Sequence, residues 1–191
     1  MTDRTEFRSK VEDYVDGKVV ELKFPSSAGF RPFQFFFSEE SIAHPAKASL
    51  YLLRYLIKKY TKEGEVVADI MAGTGSTGIV ASYMGRHSVL VELEEKFVDW
   101  INKNVQLLEK RKGKRGEVKV IQGDARKLTQ LLGVNADSIV TSPPYSSGGW
   151  KADEDPSNPI HREEERRKLY PMRPPNPGRY SENRDNIGNL P

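Results

Sequence analysis

Short apolar runs alternate with segments of helical periodicity in the middle of the chain, and this alternation limits the possible folds more than any other feature. Four runs have the length and composition of buried β-strands. They are residues 66–71, 88–93, 118–124 and 137–140. The segments between them predict helices at 79–84, 96–110 and 126–132. Strands separated by helices in this way form a parallel sheet with right-handed crossovers. We therefore predict an α/β fold with helices on both faces of the sheet.

Less regular segments flank this alternating core. The N-terminal part has a strand-like run at 18–24 and an aromatic run at 33–37 that predicts a packing element, and a helix at 46–60 leads into the first core strand. Beyond residue 145 the chain is rich in Pro, Asn, Gly, Arg and Glu, and it predicts one short helix at 162–170. Sheets of this class usually have about six strands, so we expect a truncated or split protein that lacks its C-terminal strands. The predicted domains are an N-terminal extension (1–40), a core (41–145) and a flexible tail (146–191).

Composition excludes several classes of protein. The 191 residues include no cysteine, which excludes a disulfide framework and a thiol nucleophile. The histidines at positions 44, 87 and 161 lack metal-ligand spacing, so no metal site is predicted. The chain starts without an apolar signal segment and has no stretch long enough to span a membrane, so we expect a cytoplasmic protein. A net charge of +3 permits a nucleic-acid partner without requiring one.

A glycine-rich loop between the first predicted core strand and the following helix is the first chemical signal. Gly73, Gly75 and Gly78 have the spacing of a nucleotide-binding loop, where glycine lets the backbone turn sharply and approach a ligand. Glu92 follows about twenty residues later, where a ribose-binding carboxylate is expected. Asp69 precedes the loop, and no lysine follows it to hold a phosphate. This charge pattern favours S-adenosylmethionine, which carries a sulfonium and an ammonium group, over a pyrophosphate cofactor.

Carboxylates stand at or near the ends of the first three core strands. Asp124 follows the third strand and is suited to accept a hydrogen bond from an adenine amino group, in line with Asp69 and Glu92. Each of these residues taken singly is also compatible with a helix cap or a turn. Together they predict a ligand site at the carboxyl edge of the sheet.

Three motifs in order along the chain carry a resemblance to a known family. They are HPAK at 44–47, DIMAGTGST at 69–77 and TSPPY at 141–145. Over about residues 41–145 they resemble the DNA amino-methyltransferases, which move a methyl group from S-adenosylmethionine to N4 of cytosine or N6 of adenine. Ser-Pro-Pro-Tyr resembles the cytosine-N4 type, since adenine-N6 enzymes usually have Asp or Asn in the first position. The resemblance implies a Rossmann-like methyltransferase fold, DNA as partner and a restriction–modification context.

The motifs and strand ends define two sets of predicted site residues. The predicted cofactor-binding residues are His44, Pro45, Lys47, Asp69, Met71, Ala72, Gly73, Gly75, Ser76, Thr77, Glu92, Leu93, Asp124 and Ala125. The predicted catalytic residues are Ser142, Pro143, Pro144 and Tyr145.

The residue types of the tetrapeptide suit methylation of an amino group. The lone pair of a cytosine amino group is conjugated with the ring, and acceptors that hold both N–H groups can release it for attack. The Ser142 hydroxyl and the Pro143 carbonyl are such acceptors, and proline also stiffens the loop. Tyr145 offers a face for stacking a base taken out of the duplex. Direct displacement on the sulfonium methyl then depends mainly on positioning.

Other interpretations stay open at this stage. N6 of adenine is the near alternative target within the same mechanism, because the first residue of the tetrapeptide predicts the base imperfectly. An RNA base or guanine-N2 methyltransferase would have a related fold, although Asp or Asn usually precedes Pro-Pro there. A further alternative is a non-catalytic cofactor-binding fragment that needs a second chain or a downstream segment to complete the fold.

Overall fold

The structure is a computed structural model that describes residues 9–24, 35–43, 48–131, 133 and 135–143. The strands in these ranges are β1 (Ser9–Val15), β2 (Lys18–Phe24), β3 (Val66–Asp69), β4 (His87–Glu92), β5 (Val118–Gln122) and β6 (Ser138–Ile139). The helices are α1 (Glu39–Ala43), α2 (Leu50–Tyr60), α3 (Ser76–Tyr83), α4 (Glu95–Glu109) and α5 (Leu128–Leu131), and a 3-10 helix at Ala125–Lys127 precedes α5.

A four-stranded parallel sheet forms the centre of the fold, as predicted. Its strands lie in the order β5-β4-β3-β6, and every neighbouring pair is parallel. Helix α3 connects β3 to β4 and α4 connects β4 to β5, so right-handed crossovers put both helices on one face. The connection through α5 returns in the opposite direction to β6, and the same rule puts it on the other face. The predicted α/β class with helices on both faces is therefore confirmed.

The main apolar core lies between the sheet and helices α2, α3 and α4. Val67 of β3, Ile79 and Val80 of α3, and Ile57 of α2 are fully buried in it. The aromatic run ahead of α1 contributes the buried Phe36 and Phe37, while the neighbouring Phe35 is 59% exposed. The prediction that this run packs into the core is thus confirmed for two of its rings.

Strands β1 and β2 form a separate antiparallel hairpin that rests on α2. The strand β1 had no counterpart among the predicted elements, because its alternation of charged and apolar residues is weak. Its turn uses Asp16 and Gly17, which both have positive φ. Asp13 accepts hydrogen bonds from Tyr55 and Lys59 of α2, and the rings of Phe24 and Tyr55 lie 5.6 Å apart. Local pairing and one helix face therefore hold the hairpin.

Helix α2 begins later than its apolar spacing predicts. The prediction started it at residue 46, but Ser49 has an extended backbone and its hydroxyl accepts the backbone N–H of Leu52. A serine that caps a helix in this way satisfies an amide that would otherwise lack a partner. The capping residue therefore sets the first turn at Leu50.

The chain divides into two units. The first, residues 1–38 and 47–142, contains the hairpin, the sheet and helices α2 to α5. The second, residues 39–46 and 143–191, is described at α1 and at Pro143. The predicted helix at 162–170 lies outside the described residues, and the predicted domain boundaries stay predictions. Across the described ranges, no helix is both long and apolar enough to cross a membrane.

Candidate active site

The order of the strands brings the glycine loop and the residues after β6, Thr141 and Ser142, to the same edge of the sheet. The chain runs outward from β3 to β4 and β5, and then returns to place β6 on the other side of β3. Ligands of open α/β sheets bind at such a reversal, beyond the carboxyl ends of the strands. The amide of Val140 donates to the carbonyl of Ala68 over 2.9 Å and extends the β3–β6 pairing by one bond. Thr141 and Asp69 are therefore neighbours at this edge.

The glycine loop, residues 70–75, has a backbone that requires glycine at two positions. Gly73 and Gly75 have φ values of 55° and 77°, in the left-handed region that other residues rarely adopt. A Cβ at Gly75 would lie 3.0 Å from Cγ1 of Ile101 on α4, so the loop is also pressed against that helix. A Cβ at Gly73 would meet no atom within 4 Å, which leaves space for a ligand beside the loop.

The third glycine of the motif has a packing role. A Cβ at Gly78 would lie 2.6 Å from Cδ1 of Leu90, a separation that the two side chains cannot adopt without a shift. Gly78 therefore lets α3 lie close against β4. This agrees with the usual division of roles in such loops, in which the last glycine allows helix and strand to approach.

Asp69 ends β3 as a buried carboxylate. Its side chain is 3% exposed, and Oδ1 accepts the backbone N–H of Met71 over 3.2 Å. Desolvation raises the pKa of Asp69, and the hydroxyls of Thr77 and Thr141 and the Met71 amide oppose that rise. Thr141 Oγ1 is buried and has no hydrogen-bond partner of normal geometry in the described ranges, so its hydroxyl affects the Asp69 carboxylate as a nearby dipole. Asp69 therefore lies at the end of β3 beside the first turn of α3 and the segment after β6.

Glu92 ends β4 and holds the glycine loop through its backbone. Its Oε2 accepts the N–H of Gly73 over 2.7 Å, and its Oε1 accepts the N–H of Glu94 over 3.0 Å. Burial raises the pKa of Glu92, and the backbone N–H groups oppose that rise. The carboxylate is therefore fixed beside the loop, where the sequence places a ribose-binding residue.

Asp124, which follows β5, differs from the other two carboxylates. It caps the 3-10 helix by accepting the N–H of Arg126 over 2.9 Å, and it pairs with the guanidinium of Arg126 over 2.6 Å. These contacts lower the pKa of Asp124 to about 2. The three strand-end carboxylates share one edge of the sheet, but Asp124 already has a cationic partner.

The remaining cofactor-site predictions fall partly within the described residues. The residues at the loop, at the first turn of α3, after β4 and at the start of the 3-10 helix lie at the same edge as the carboxylates. They are Met71, Ala72, Ser76, Thr77, Leu93 and Ala125. His44, Pro45 and Lys47 lie outside the described residues.

The described part of the predicted catalytic tetrapeptide is Ser142 and Pro143. Both are exposed, and both follow β6 without belonging to a strand or helix. Ser142 belongs to the first unit of the chain and Pro143 to the second. Pro144 and Tyr145 lie outside the described residues.

The structure adds Asn104 to the residues that shape the site. Asn104 is fully buried on α4, and its Nδ2 donates to the carbonyl of Thr74 in the glycine loop over 2.9 Å. Its position in the sequence carries a detectable signal, because it falls on the apolar helical stripe formed by Phe97, Ile101 and Leu108. A polar residue on such a stripe indicates a buried hydrogen-bonding role. Asn104 is not among the predicted site residues, because it belongs to none of the three motifs. No group of residues within the described ranges has the composition of a metal site.

Comparison with known proteins gives a family match over part of the chain. Residues 24–103 match a family model described as DNA methylase. The chain is 33% identical over 63 residues to the type II methyltransferase M2.DpnII of Streptococcus pneumoniae, a match that covers 33% of the chain and 24% of that protein. It is 38% identical over 63 residues to the type II methyltransferase M.BglI of Bacillus subtilis, with 33% of the chain and 18% of that protein covered. The chain therefore matches about a quarter or less of these relatives.

Solved structures give weaker likenesses. A conserved hypothetical protein of Streptococcus pyogenes has a TM-score of 0.42 and 25% identity, over 49% of the chain and 56% of that protein. An rRNA methylase of Streptococcus thermophilus has a TM-score of 0.43 and 10% identity, over 53% and 54% of the two chains. At these scores the structures carry no argument about function, so the sequence matches alone identify the relatives.

Proposed function

We propose that the chain, whose residues 24–103 match a family model described as DNA methylase, carries the methyl-transfer core of a DNA methyltransferase that acts on N4 of cytosine. The observation that carries this proposal is the topology of the sheet. It puts the glycine loop after β3 next to Thr141 and Ser142 after β6, at the edge where the strand-end carboxylates meet.

S-adenosylmethionine is the methyl donor of this family, and the described residues suit it. Gly73 leaves open space beside the loop, as a small-molecule ligand requires. Asp69 and Glu92 supply negative charge near that loop, which favours a ligand with sulfonium and ammonium groups over a pyrophosphate. When bound, this cofactor supplies an electrophilic methyl group. Glu92 and Asp124 would hold its ribose and adenine, and the loop backbone would hold its amino-acid end together with the predicted residues of 44–47.

The Ser-Pro-Pro-Tyr segment would position the target base. The exposed Ser142 hydroxyl and the Pro143 carbonyl would accept the two N–H groups of the amine and so free its lone pair. The nitrogen would gain the methyl group and lose one proton to solvent, while the bond from the methyl carbon to the sulfonium sulfur breaks and the cofactor leaves as a neutral thioether. Tyr145 would stack on the base after it leaves the duplex. Methyl transfer then depends on alignment and on exclusion of water, and neither a metal nor a covalent enzyme intermediate takes part.

The choice of cytosine over adenine rests on Ser142. Relatives of this family act on either base, and a serine ahead of Pro-Pro-Tyr favours N4 of cytosine. N6 of adenine is the second candidate within the same mechanism, because its amino group needs the same two acceptors.

We also propose that a further strand completes the sheet beside β6. Within the described residues, β6 pairs with β3 alone, and Ile139 is 54% exposed at that outer edge. An unpaired edge with an exposed apolar side chain suits the addition of a strand. The downstream segment or a second chain would supply it. Methylation in cells that express this chain alone therefore tests both the chemistry and its self-sufficiency.

Nucleoside mass spectrometry on plasmid DNA from cells that express the chain tests the proposed reaction. We expect N4-methylcytosine with the wild-type chain and a loss of about 100-fold in Ser142→Ala, since an acceptor that acts in the transition state is removed. Ser138→Ala is the matched control, because the Ser138 hydroxyl is buried without a partner in the described ranges. It should leave the product level unchanged.

Each alternative result has a distinct meaning. N6-methyladenine would keep the mechanism and reject the choice of base. Neither product, with S-adenosylmethionine still bound by the purified chain, would indicate a cofactor-binding fragment that needs its completing segment. Neither product and no binding of S-adenosylmethionine would reject the proposed function.

A further inference from the structure

Asn104 occupies a position on α4 where an apolar side chain is expected. The buried face of this helix comprises Phe97, Ile101, Asn104 and Leu108, and Asn104 is 0% exposed. Burial of an amide costs free energy unless its donor and acceptor groups find partners. We therefore expect the side chain to be hydrogen-bonded, and its partners show which segments it holds in place.

The two ends of the Asn104 amide hold two separate backbone segments. Oδ1 accepts the N–H of Ser38 over 2.7 Å, and Nδ2 donates to the carbonyl of Thr74 over 2.9 Å. The partners settle the orientation of the amide, because a carbonyl requires a donor and an N–H requires an acceptor. Asn104 thus joins the glycine loop to the segment that precedes α1.

The orientation of the Thr74 carbonyl depends on the unusual backbone of the loop on either side of it. Thr74 is buried and lies between Gly73 and Gly75, the two residues with left-handed backbones. Ile101, one turn before Asn104 on α4, packs against Gly75. Helix α4 therefore determines both how closely the loop approaches and how its central peptide is turned.

Glu92 is another polar side chain that holds this loop, and it differs from Asn104 in its surroundings. The Glu92 carboxylate accepts the N–H of Gly73 at the edge where a cofactor ribose is expected, so a bound ligand would compete for its oxygens. Asn104 is fully buried on α4, where its amide donates to the Thr74 carbonyl and is not exposed to solvent. The Asn104 bond would therefore persist while Glu92 exchanges partners.

We propose that Asn104 is a positioning residue for cofactor binding, which holds the glycine loop in its binding shape through the Thr74 carbonyl. The inference rests on the proposed function in one respect, namely that this loop binds S-adenosylmethionine. Asn104 itself touches neither the cofactor nor the target base.

Titration calorimetry with S-adenosylmethionine on the full chain tests this role, using two substitutions that divide the contacts of Asn104. Asn104→Leu removes both hydrogen bonds at similar volume. Asn104→Asp keeps an acceptor for Ser38 and loses the donor to Thr74 while it is ionised, but its protonated form can donate again. Because burial raises the pKa of a carboxyl group, binding is compared at pH values of about 5.5 and about 8. Leu108→Ala, on the same buried face, is the control for simple destabilisation.

We expect Asn104→Leu to weaken binding about tenfold at both pH values, the effect of one lost positioning hydrogen bond. Asn104→Asp should bind about tenfold more weakly than wild type at the higher pH and approach wild type at the lower pH. Leu108→Ala should lower the melting temperature and change the affinity by less than about twofold. The pH-dependent recovery is the result that a purely structural asparagine would not produce, and it stands even if Asn104→Leu fails to fold.

Other outcomes would overturn the inference. If Asn104→Leu binds as wild type does at both pH values, the bond to Thr74 does not position the loop. If Leu108→Ala weakens binding as much as the Asn104 variants, loss of stability explains the effect. In both cases the wild-type chain binds S-adenosylmethionine and the proposed function stands, whereas a wild-type chain that does not bind it would overturn both proposals.

Discussion

The carboxylates that end β3 and β4 and the one that follows β5 look alike in the sequence but differ in the structure. Asp69 and Glu92 are buried, accept backbone N–H groups and have pKa values raised by desolvation. Asp124 is partly exposed, and its contacts with Arg126 lower its pKa to about 2. The difference arises because the first two lie at the centre of the sheet, whereas β5 lies at its edge.

This contrast separates two uses of an acid at a strand end. A buried carboxylate beside a glycine loop keeps an unbalanced negative charge where a cationic ligand would compensate it, and such costly arrangements concentrate at functional sites. A surface carboxylate with its own arginine is already balanced. We therefore expect the free energy of cofactor binding to depend on Glu92 and Asp69 far more than on Asp124.

The largest effect is expected for Glu92→Gln. An amide offers one oxygen, so one of the two N–H groups that Glu92 accepts, from Gly73 and Glu94, would face an NH2 group. Together with the lost charge, this should weaken S-adenosylmethionine binding about 100-fold in titration calorimetry. Glu95→Gln, an exposed change in the first turn of α4, is the control and should bind as wild type does. Near-normal affinity in Glu92→Gln would mean that the buried charge does not serve the ligand.

An intermediate loss of cofactor affinity is expected for Asp69→Asn, together with a gain in the free energy of unfolding. Its folded-state pKa is raised, so the ionised carboxylate destabilises the fold at neutral pH, and this cost disappears as the pH falls through the folded-state pKa towards 3.8. An asparagine keeps an acceptor for the Met71 amide and carries no charge. The variant should therefore be more stable than wild type at neutral pH, by about 1 kcal/mol, and bind the cofactor about tenfold more weakly.

Urea denaturation at pH values of about 7 and about 4 checks the sign, because the stability difference between variant and wild type should shrink at the lower pH. Comparison of the two proteins at each pH cancels the titration of Glu92, which they share. Asp99→Asn on the exposed face of α4 is the matched control and should leave the free energy of unfolding at neutral pH unchanged. A variant less stable than wild type at neutral pH would show that hydrogen bonds to the carboxylate outweigh its desolvation.

The smallest effect is expected for Asp124→Asn. The Arg126 guanidinium already compensates the charge of Asp124, and the pKa of about 2 keeps this group ionised at every pH where the protein would be assayed. An asparagine keeps an oxygen that can accept the adenine amino group, so we expect less than about a threefold change in S-adenosylmethionine affinity and no change in its pH dependence. A loss comparable to that of Glu92→Gln would show that the charge of Asp124 itself contributes to cofactor binding, and the contrast between the strand ends would no longer hold.

Much of the fold was predictable because its signals are local. The apolar runs of β3, β4 and β5 and the helical spacing of α2 and α4 depend on residues a few positions apart, and each element lies within a few residues of its prediction. The strand β1 was missed because it is stabilised by pairing with β2 and by Asp13 contacts to α2, which a one-dimensional pattern does not contain. Ser49 moved the start of α2 because one capping hydrogen bond outweighed apolar spacing.

The features of the candidate site likewise fall into those that depend on local sequence and those that depend on the packing of distant elements. The amino-acid sequence by itself determined the α/β class, the glycine loop, the acids at the strand ends and the Ser-Pro-Pro-Tyr segment, since each is a matter of residue type and short spacing. Only the tertiary structure decided which acids are buried, that Asp124 forms an ion pair with Arg126, and that Asn104 donates to the carbonyl of Thr74 thirty residues away. Burial and long-range hydrogen bonds depend on which elements pack together, and that is a property of the assembled fold rather than of any single segment.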